Sequence, residues 1–111
     1  MNTGLSPVDI YQDGLRAAAR GRAAGWRVRY GDGTARPLAL AAWSGGLRPG
    51  DETLLRRCSG PTLDVGCGPG RLTAALGERA LPALGIDIAG QAVALCHARG
   101  APALQRDVFG P

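Results

Sequence analysis

Three glycines alternate with other residues directly behind an apolar run. Gly66, Gly68 and Gly70 follow a segment that contains Asp64. Glycine in place of alanine costs about 0.5–1 kcal/mol of backbone entropy at each position, so three of them within five residues indicate a ligand that approaches the main chain closely. Pro69 fits the first turn of a following helix, whose free amides can hold such a ligand. The segment predicts a binding loop between a strand and a helix; a tight turn without a ligand is the alternative.

The spacing of these glycines argues against a dinucleotide site. The dinucleotide fingerprint has a glycine three residues beyond its second glycine, and at that distance from Gly68 the chain has Arg71. Cys67 lies inside the loop with no histidine or other base nearby in sequence, which favours a small filling side chain over a nucleophile.

The elements that position the loop alternate between strand and helix. From residue 61 the pattern predicts a strand, the glycine loop, a helix at 71–79, a strand at 83–87, a helix at 90–99 and a strand from 103. This alternation is typical of a parallel sheet with crossover helices.

The residues before the loop predict a helix followed by a hairpin. Ser6 and Pro7 are typical of a helix start, and Gly21 and Gly25 of its end. The hairpin turns at the Gly-Asp-Gly segment 31–33. Its apolar face is formed by Trp26, Val28, Tyr30, Leu38 and Leu40.

A short helix is predicted between the hairpin and the glycine loop. Asp51 is expected to cap it. Its inward side is expected to carry Leu54, Leu55 and Cys58.

Charge and cysteine content narrow the class of protein. The chain has thirteen arginines, no lysine and nine acidic residues. The arginines form no continuous basic block and have no interleaved aromatic series, which favours a solvated surface over a nucleic-acid site. Cys58, Cys67 and Cys96 lack paired spacing, which argues against a disulfide framework or a metal site and favours reduced thiols in a cytoplasm. The N-terminus lacks the pattern of a secretion signal, and no apolar stretch approaches the roughly 20 residues that span a bilayer. We expect a soluble, cytoplasmic protein without a bound metal.

Three segments, "LDVGCGPGRL", "ALGIDIAGQAVALCHARG" and "LQRDVF", occur in order. Together they resemble the S-adenosylmethionine-binding half of a class I methyltransferase, whose first motif has the form D-x-G-x-G-x-G. The resemblance covers residues from about Thr62 to Phe109. It implies a partial Rossmann-like three-layer α/β sandwich, with parallel strands and crossover helices, preceded by the helix and hairpin. Residues 1–58 would cover the cofactor side, and residues 59–111 would form the first half of the cofactor-binding domain.

The resemblance also implies which residues bind S-adenosylmethionine. Its first motif, which surrounds the methionine part of the cofactor, is matched by Asp64, Gly66, Gly68 and Gly70. Asp64 could instead brace the loop without touching the cofactor.

Acidic residues at two later strand ends complete the implied site. Asp87 matches the acid that accepts both ribose hydroxyls, and two carboxylate oxygens suit a vicinal diol. Asp107 resembles the acid that takes the adenine amino group. The implied cofactor-binding set is Asp64, Gly66, Cys67, Gly68, Gly70, Asp87, Ile88, Asp107 and Val108.

The chain departs from the family pattern in two places. Ala89 and Gly90 stand where many relatives have Ser-Pro, which removes a helix cap worth about 0.5–2 kcal/mol. The family's sheet continues with a fourth strand beside the first, and substrate and catalytic residues commonly follow it. Because the sequence stops at Pro111, the resemblance predicts an N-terminal piece with its first strand at an open edge, and no catalytic residue is assigned.

The sequence therefore predicts an S-adenosylmethionine-dependent methyltransferase whose acceptor is unidentified, with a small molecule favoured over nucleic acid or protein. One alternative is a non-catalytic module that binds the cofactor or depends on a partner, such as a second chain that supplies the missing strands. A nucleotide-binding oxidoreductase of the NAD type is a weaker alternative, since Arg71 interrupts its fingerprint.

Overall fold

A computed structural model describes residues 6–22, 27–37 and 40–110. The helices in these ranges are α1 (Pro7–Ala19), α2 (Leu40–Ser44), α3 (Asp51–Arg56), α4 (Arg71–Glu78) and α5 (Gly90–Ala98). The strands are β1 (Arg27–Arg29), β2 (Ala35–Pro37), β3 (Thr62–Val65), β4 (Ala83–Asp87) and β5 (Ala103–Gln105). None of the helices described is long and apolar enough to cross a membrane.

Helix α1 begins at a capping box, as Ser6 and Pro7 predict. The Ser6 hydroxyl accepts a hydrogen bond from the Asp9 amide at 3.1 Å, and the Asp9 carboxylate accepts one from the Ser6 amide at 3.0 Å. These two bonds satisfy amides that have no partner within the helix. Further along the helix, Leu15 is fully buried.

The hairpin is confirmed over the residues that the structure describes. Strands β1 and β2 pair antiparallel, with Arg27 opposite Pro37 and Arg29 opposite Ala35. Trp26 and Leu38, which were expected on its apolar face, lie outside the described residues.

Leu40 does not belong to the hairpin, and that prediction is wrong. It is the first residue of α2 and is fully buried against Leu15, Ala89 and Ala92, with Trp43 packed on the same cluster. The alternation of Leu38 with Leu40 favours a strand, but the three-residue spacing from Leu40 to Trp43 puts both on one side of a helix.

The predictions for Asp51 and Leu54 in α3 are also wrong. Gly50 occupies the N-cap position, and Asp51 is the first helical residue; its Oδ2 accepts a bond from the Arg48 amide at 2.7 Å. Leu55 is buried, whereas Leu54 is 52% exposed. Adjacent helical residues point about 100° apart, so both leucines cannot face the same core.

The central sheet has the parallel order β3-β4-β5, with Thr62 opposite Ala83 and Gly85 opposite Ala103. Helices α4 and α5 contact each other and the sheet, so both crossovers pack on one face. On the other face Leu63 and Val65 are more than half exposed. Within the described residues β3 is an edge strand, and the predicted partial Rossmann-like fold is confirmed.

Helix α5 starts without a side-chain cap of its own, as Ala89 and Gly90 predict. The Ala89 amide instead donates to Oδ1 of Asp87 at 2.9 Å, and the Gln91 amide donates to Oε1 of Gln12 at 2.9 Å. Gln12 belongs to α1. The first helix therefore caps a helix that begins almost eighty residues later in the chain.

Replacing Gln12 by alanine should leave the Gln91 amide without its acceptor. We expect Gln12→Ala to lower the free energy of unfolding by about 0.5–1.5 kcal/mol, measured by urea denaturation. The neighbouring Asp13→Ala is the control, because Asp13 forms an exposed ion pair with Arg16 and the substitution should change stability by no more than about 0.5 kcal/mol. Equal effects of the two substitutions would contradict the cap.

Candidate functional site

The loop between β3 and α4 depends on glycines in left-handed backbone conformations. Gly68 has a φ of +56° and Gly70 a φ of +91°. Residues with a β-carbon are disfavoured there by roughly 1–2 kcal/mol. A β-carbon on Gly68 would also lie 3.4 Å from the hydroxyl of Tyr11. The loop therefore needs glycine for its own geometry as well as for close approach.

Asp87, at the end of β4, fixes this loop. Its Oδ2 accepts a hydrogen bond from the Gly68 amide at 2.9 Å, while Oδ1 accepts from the Ala89 amide. The residue is only 7% exposed. Each carboxylate oxygen has a second lone pair, so Asp87 can still accept a bond from a ligand hydroxyl.

Asp64 braces the loop from β3. Its Oδ2 accepts a hydrogen bond from the Thr73 hydroxyl in α4 at 2.8 Å, and Thr73 is fully buried. This bond ties the strand to the helix across the loop. It favours the bracing role that the sequence left open for Asp64, although the side chain also borders the cavity described next.

A cavity of about 440 Å³, here called the loop cavity, opens above the glycine loop. It is bordered by parts of β3, the loop, α4 and the N-terminal helices. Its lining residues are Tyr11, Trp43, Asp64, Gly66, Cys67, Gly68, Pro69, Arg71 and Leu72. Tyr11 of α1 and Trp43 of α2 are the lining residues that come from the N-terminal helices.

Two aromatic side chains, Tyr11 and Trp43, line the loop cavity. The rings of Tyr11 and Trp43 meet edge to face, with centroids 6.3 Å apart. Burial, followed by the negative charge of Asp87, raises the pKa of Tyr11 to about 12. Tyr11 is therefore a neutral hydrogen-bonding group in the physiological pH range.

Arg71 brings a positive charge to the same cavity. Its Nη2 donates to Oδ1 of Asp51 at 3.2 Å, in a pair that is mostly buried. Its Nε is buried and has no hydrogen-bond partner among the described residues. The guanidinium therefore keeps one N–H donor without an acceptor in this part of the chain.

A second cavity of about 280 Å³, here called the strand-end cavity, lies at the carboxyl ends of β4 and β5. Ile88 and Val108 are about half exposed, and Asp107 accepts a bond from the Phe109 amide at 2.9 Å. Its lining residues are Val65, Gly66, Ile86, Asp87, Ile88, Arg106, Asp107, Val108 and Phe109. Gly66 borders both cavities, so they adjoin each other at the loop, and the two together are here called the groove.

This groove contains most of the residues that the resemblance implied. Gly70 is the exception, since it borders neither cavity and packs against the sulfur of Cys96 instead. Sequence reasoning missed Tyr11, Trp43 and Arg71. Arg71 follows the loop directly and could have been noticed, whereas the two aromatic residues come from separate N-terminal helices, and only the tertiary structure brings them over the loop.

Parallel strands, crossover helices on one face and a glycine loop at a helix start define a Rossmann-like α/β domain with a ligand groove at its strand ends. Residues 63–109 match a family profile described as a methyltransferase domain. The chain is also similar to the crystal structure of an S-adenosylmethionine-dependent methyltransferase from Bacteroides fragilis in complex with S-adenosyl-L-homocysteine, with a TM-score of 0.80 and 28% identity.

That structural match covers 98% of this chain and 48% of the Bacteroides fragilis protein. The chain thus spans about half the length of that methyltransferase. No curated protein matches the chain significantly. The two matches confirm the predicted resemblance to the class I methyltransferases.

Proposed function

We propose that this chain is the cofactor-binding part of an S-adenosylmethionine-dependent methyltransferase. The observation that carries the proposal is that the loop cavity and the strand-end cavity adjoin at Gly66, on either side of the glycine loop. S-adenosylmethionine is an elongated molecule with an apolar ring and a diol at one end and an amino acid at the other. Binding of S-adenosyl-L-homocysteine by the similar Bacteroides fragilis protein supports the proposal.

The strand-end cavity suits the adenosine half. Asp87 presents a buried carboxylate whose remaining lone pairs can accept the ribose hydroxyls. Ile88 and Val108 offer apolar surface to a flat ring, and Asp107 can accept a bond from an exocyclic amino group. The acceptors and the apolar surface of this cavity thus match the hydroxyls, the amino group and the ring of a nucleoside.

The loop cavity suits the methionine half. The guanidinium of Arg71, which borders this cavity, can attract a carboxylate, and the rings of Tyr11 and Trp43 can stabilise a cationic sulfonium by about 0.5–2 kcal/mol. When bound, S-adenosylmethionine supplies the activated methyl group. The chain's own residues hold the donor, orient it and cover it. Orientation of donor and acceptor can supply on the order of 7–11 kcal/mol of a barrier.

The acceptor is proposed to be a small molecule, in an enzyme of the cytoplasm. The arginines are spread along the sequence without a continuous basic block, which disfavours nucleic acid. Leu63 and Val65 are exposed on the β3 edge, which is suited to a further strand, either of the same polypeptide or of a complementing chain. Because catalytic residues of the family commonly follow such a strand, activity is proposed for the complete sheet.

The two tyrosines provide a matched test of the proposed site. Tyr11 lines the loop cavity, whereas Tyr30 is exposed next to the hairpin turn. We expect Tyr11→Ala to weaken binding of S-adenosylmethionine about 3–30-fold in calorimetry, as loss of a cation–π contact predicts, and to weaken the uncharged S-adenosyl-L-homocysteine less. Tyr30→Ala should leave both affinities unchanged. Identical affinities of the two variants would remove Tyr11 from the site.

A further inference from the structure

Two cysteines from separate elements place their sulfur atoms side by side beneath the glycine loop. The Sγ atoms of Cys67, in the loop, and Cys96, in α5, are 3.7 Å apart. Both thiols also lie against the Gly68 carbonyl, at 3.5 Å from Cys67 and 3.0 Å from Cys96. Residues 29 positions apart in sequence thus form a compact dithiol.

Two glycines make room for this dithiol. A β-carbon on Gly85 would lie 2.7 Å from the sulfur of Cys67, and one on Gly70 would lie 2.7 Å from the sulfur of Cys96. These distances are too short for a real contact, so the sulfurs occupy space that any larger residue would fill. The loop, β4 and α5 therefore hold the pair in a closely packed position.

The two thiols differ in their access to solvent. Cys67 borders the loop cavity and is half-buried, whereas Cys96 is fully buried. The hydrogen bond with Cys67, aided by the charge of Arg99, lowers the pKa of Cys96 despite its burial. The same hydrogen bond, together with burial, raises the pKa of Cys67. An oxidant that enters the cavity meets Cys67 first, and Cys96 is the thiolate that can react with the oxidised sulfur.

We propose that Cys67 and Cys96 form a reversibly oxidisable pair that becomes a disulfide on reaction with a peroxide. This inference goes beyond the proposed methyl transfer and does not rest on it. A sulfur–sulfur bond is about 2.05 Å long, so the sulfurs must approach by roughly 1.7 Å. Cys96 then gives up its hydrogen bond to the Gly68 carbonyl, and the loop that borders the cavity changes shape.

The chemistry balances with one peroxide per disulfide. The Cys67 sulfur attacks one peroxide oxygen, and the oxygen–oxygen bond breaks. The second oxygen leaves as hydroxide, takes the Cys67 proton and becomes water, which leaves a sulfenic acid on Cys67. Cys96 gives up its proton and attacks that sulfur as a thiolate, and the displaced hydroxide takes this proton as a second water. Both sulfurs are oxidised and the peroxide is reduced.

Cys58 offers the matched control, because it lies in a different cluster near Leu55 and Leu76. The Cys58→Ser variant of the full chain is treated with hydrogen peroxide, and its intact mass and free thiols are measured under denaturing conditions. We expect its two thiols to fall to zero, with a mass lower by two hydrogen atoms, and dithiothreitol to restore both. Trypsin should then yield peptide 58–71 joined to peptide 80–99.

The substitution also makes the linkage unambiguous, since Cys58 and Cys67 would otherwise share peptide 58–71. On treatment with peroxide, the mass of the Cys96→Ser protein should not fall by two hydrogen atoms, whereas that of the Cys58→Ser protein should. Persistent thiols in the peroxide-treated Cys58→Ser protein, or a disulfide between two molecules instead of within one, would overturn the proposal.

Discussion

Replacing Gly85 by alanine is expected to lower the free energy of unfolding by about 1–3 kcal/mol, the range typical of overpacked cores. Gly85 lies in β4 beneath the glycine loop. A β-carbon there would come within 2.8 Å of the Cys67 β-carbon and 3.0 Å of the Thr73 hydroxyl, in addition to the Cys67 sulfur. The loop or helix α4 would have to move away from the sheet, because the new methyl group has no free space.

Gly77 provides the control for this substitution. It lies in α4, and a β-carbon there would meet no atom of the described residues within 4 Å. Gly77→Ala should therefore raise the free energy of unfolding by about 0.4–1 kcal/mol, through lower entropy of the unfolded chain and better helix propensity. Urea denaturation of both variants should give shifts of opposite sign. A Gly85→Ala protein as stable as Gly77→Ala would show that the loop does not pack on β4 in this way.

Asp87→Ala is expected to weaken binding of S-adenosyl-L-homocysteine about 10–100-fold, since a hydrogen bond to a charged group contributes roughly 1.5–3 kcal/mol. The substitution removes the proposed acceptor for the ribose. It also leaves the amides of Gly68 and Ala89 without their acceptor, so the loop and the start of α5 each lose a hydrogen bond that holds them in place. Calorimetry on a variant with native circular dichroism measures the effect.

Asp107→Ala is the control for Asp87, because Asp107 is an exposed strand-end carboxylate that bonds only to the Phe109 amide among the described residues. It should weaken binding less than Asp87→Ala and leave the stability within about 0.5 kcal/mol of the parent. Unchanged affinity in a well-folded Asp87→Ala protein would remove Asp87 from the cofactor site.

Local sequence signals were sufficient for the second half of the fold. The strand at 83–87 was predicted with the observed bounds, and the two crossover helices end within one residue of their predicted ends. Glycine, proline and apolar alternation mark these boundaries because each acts on the backbone near its own position. The left-handed conformations of Gly68 and Gly70 are the physical basis of the loop signal.

The sequence predictions fail or are missing at residues whose positions are set by tertiary packing. Leu40 alternates with Leu38 as a strand residue would, but burial against Leu15 holds it in α2. The role of Gln12 as a cap for α5 could not be predicted, since no residue pattern near Gln12 indicates a contact with Gln91. From the sequence, Tyr11 is likewise recognisable only as one position of an amphipathic helix. The packing of that helix on the glycine loop makes Tyr11 part of the site.

The central claim is that the groove around Gly66 binds S-adenosylmethionine and its product. Titration of the ¹⁵N-labelled chain with S-adenosyl-L-homocysteine, followed by amide chemical shifts, tests it at individual residues. We expect the amides of Gly66, Gly68, Ile88 and Val108 to shift saturably, while those of hairpin residues 27–36 stay in place and NAD leaves the groove amides unchanged. Loop amides that do not move at saturating S-adenosyl-L-homocysteine, or that respond equally to NAD, would contradict the assignment.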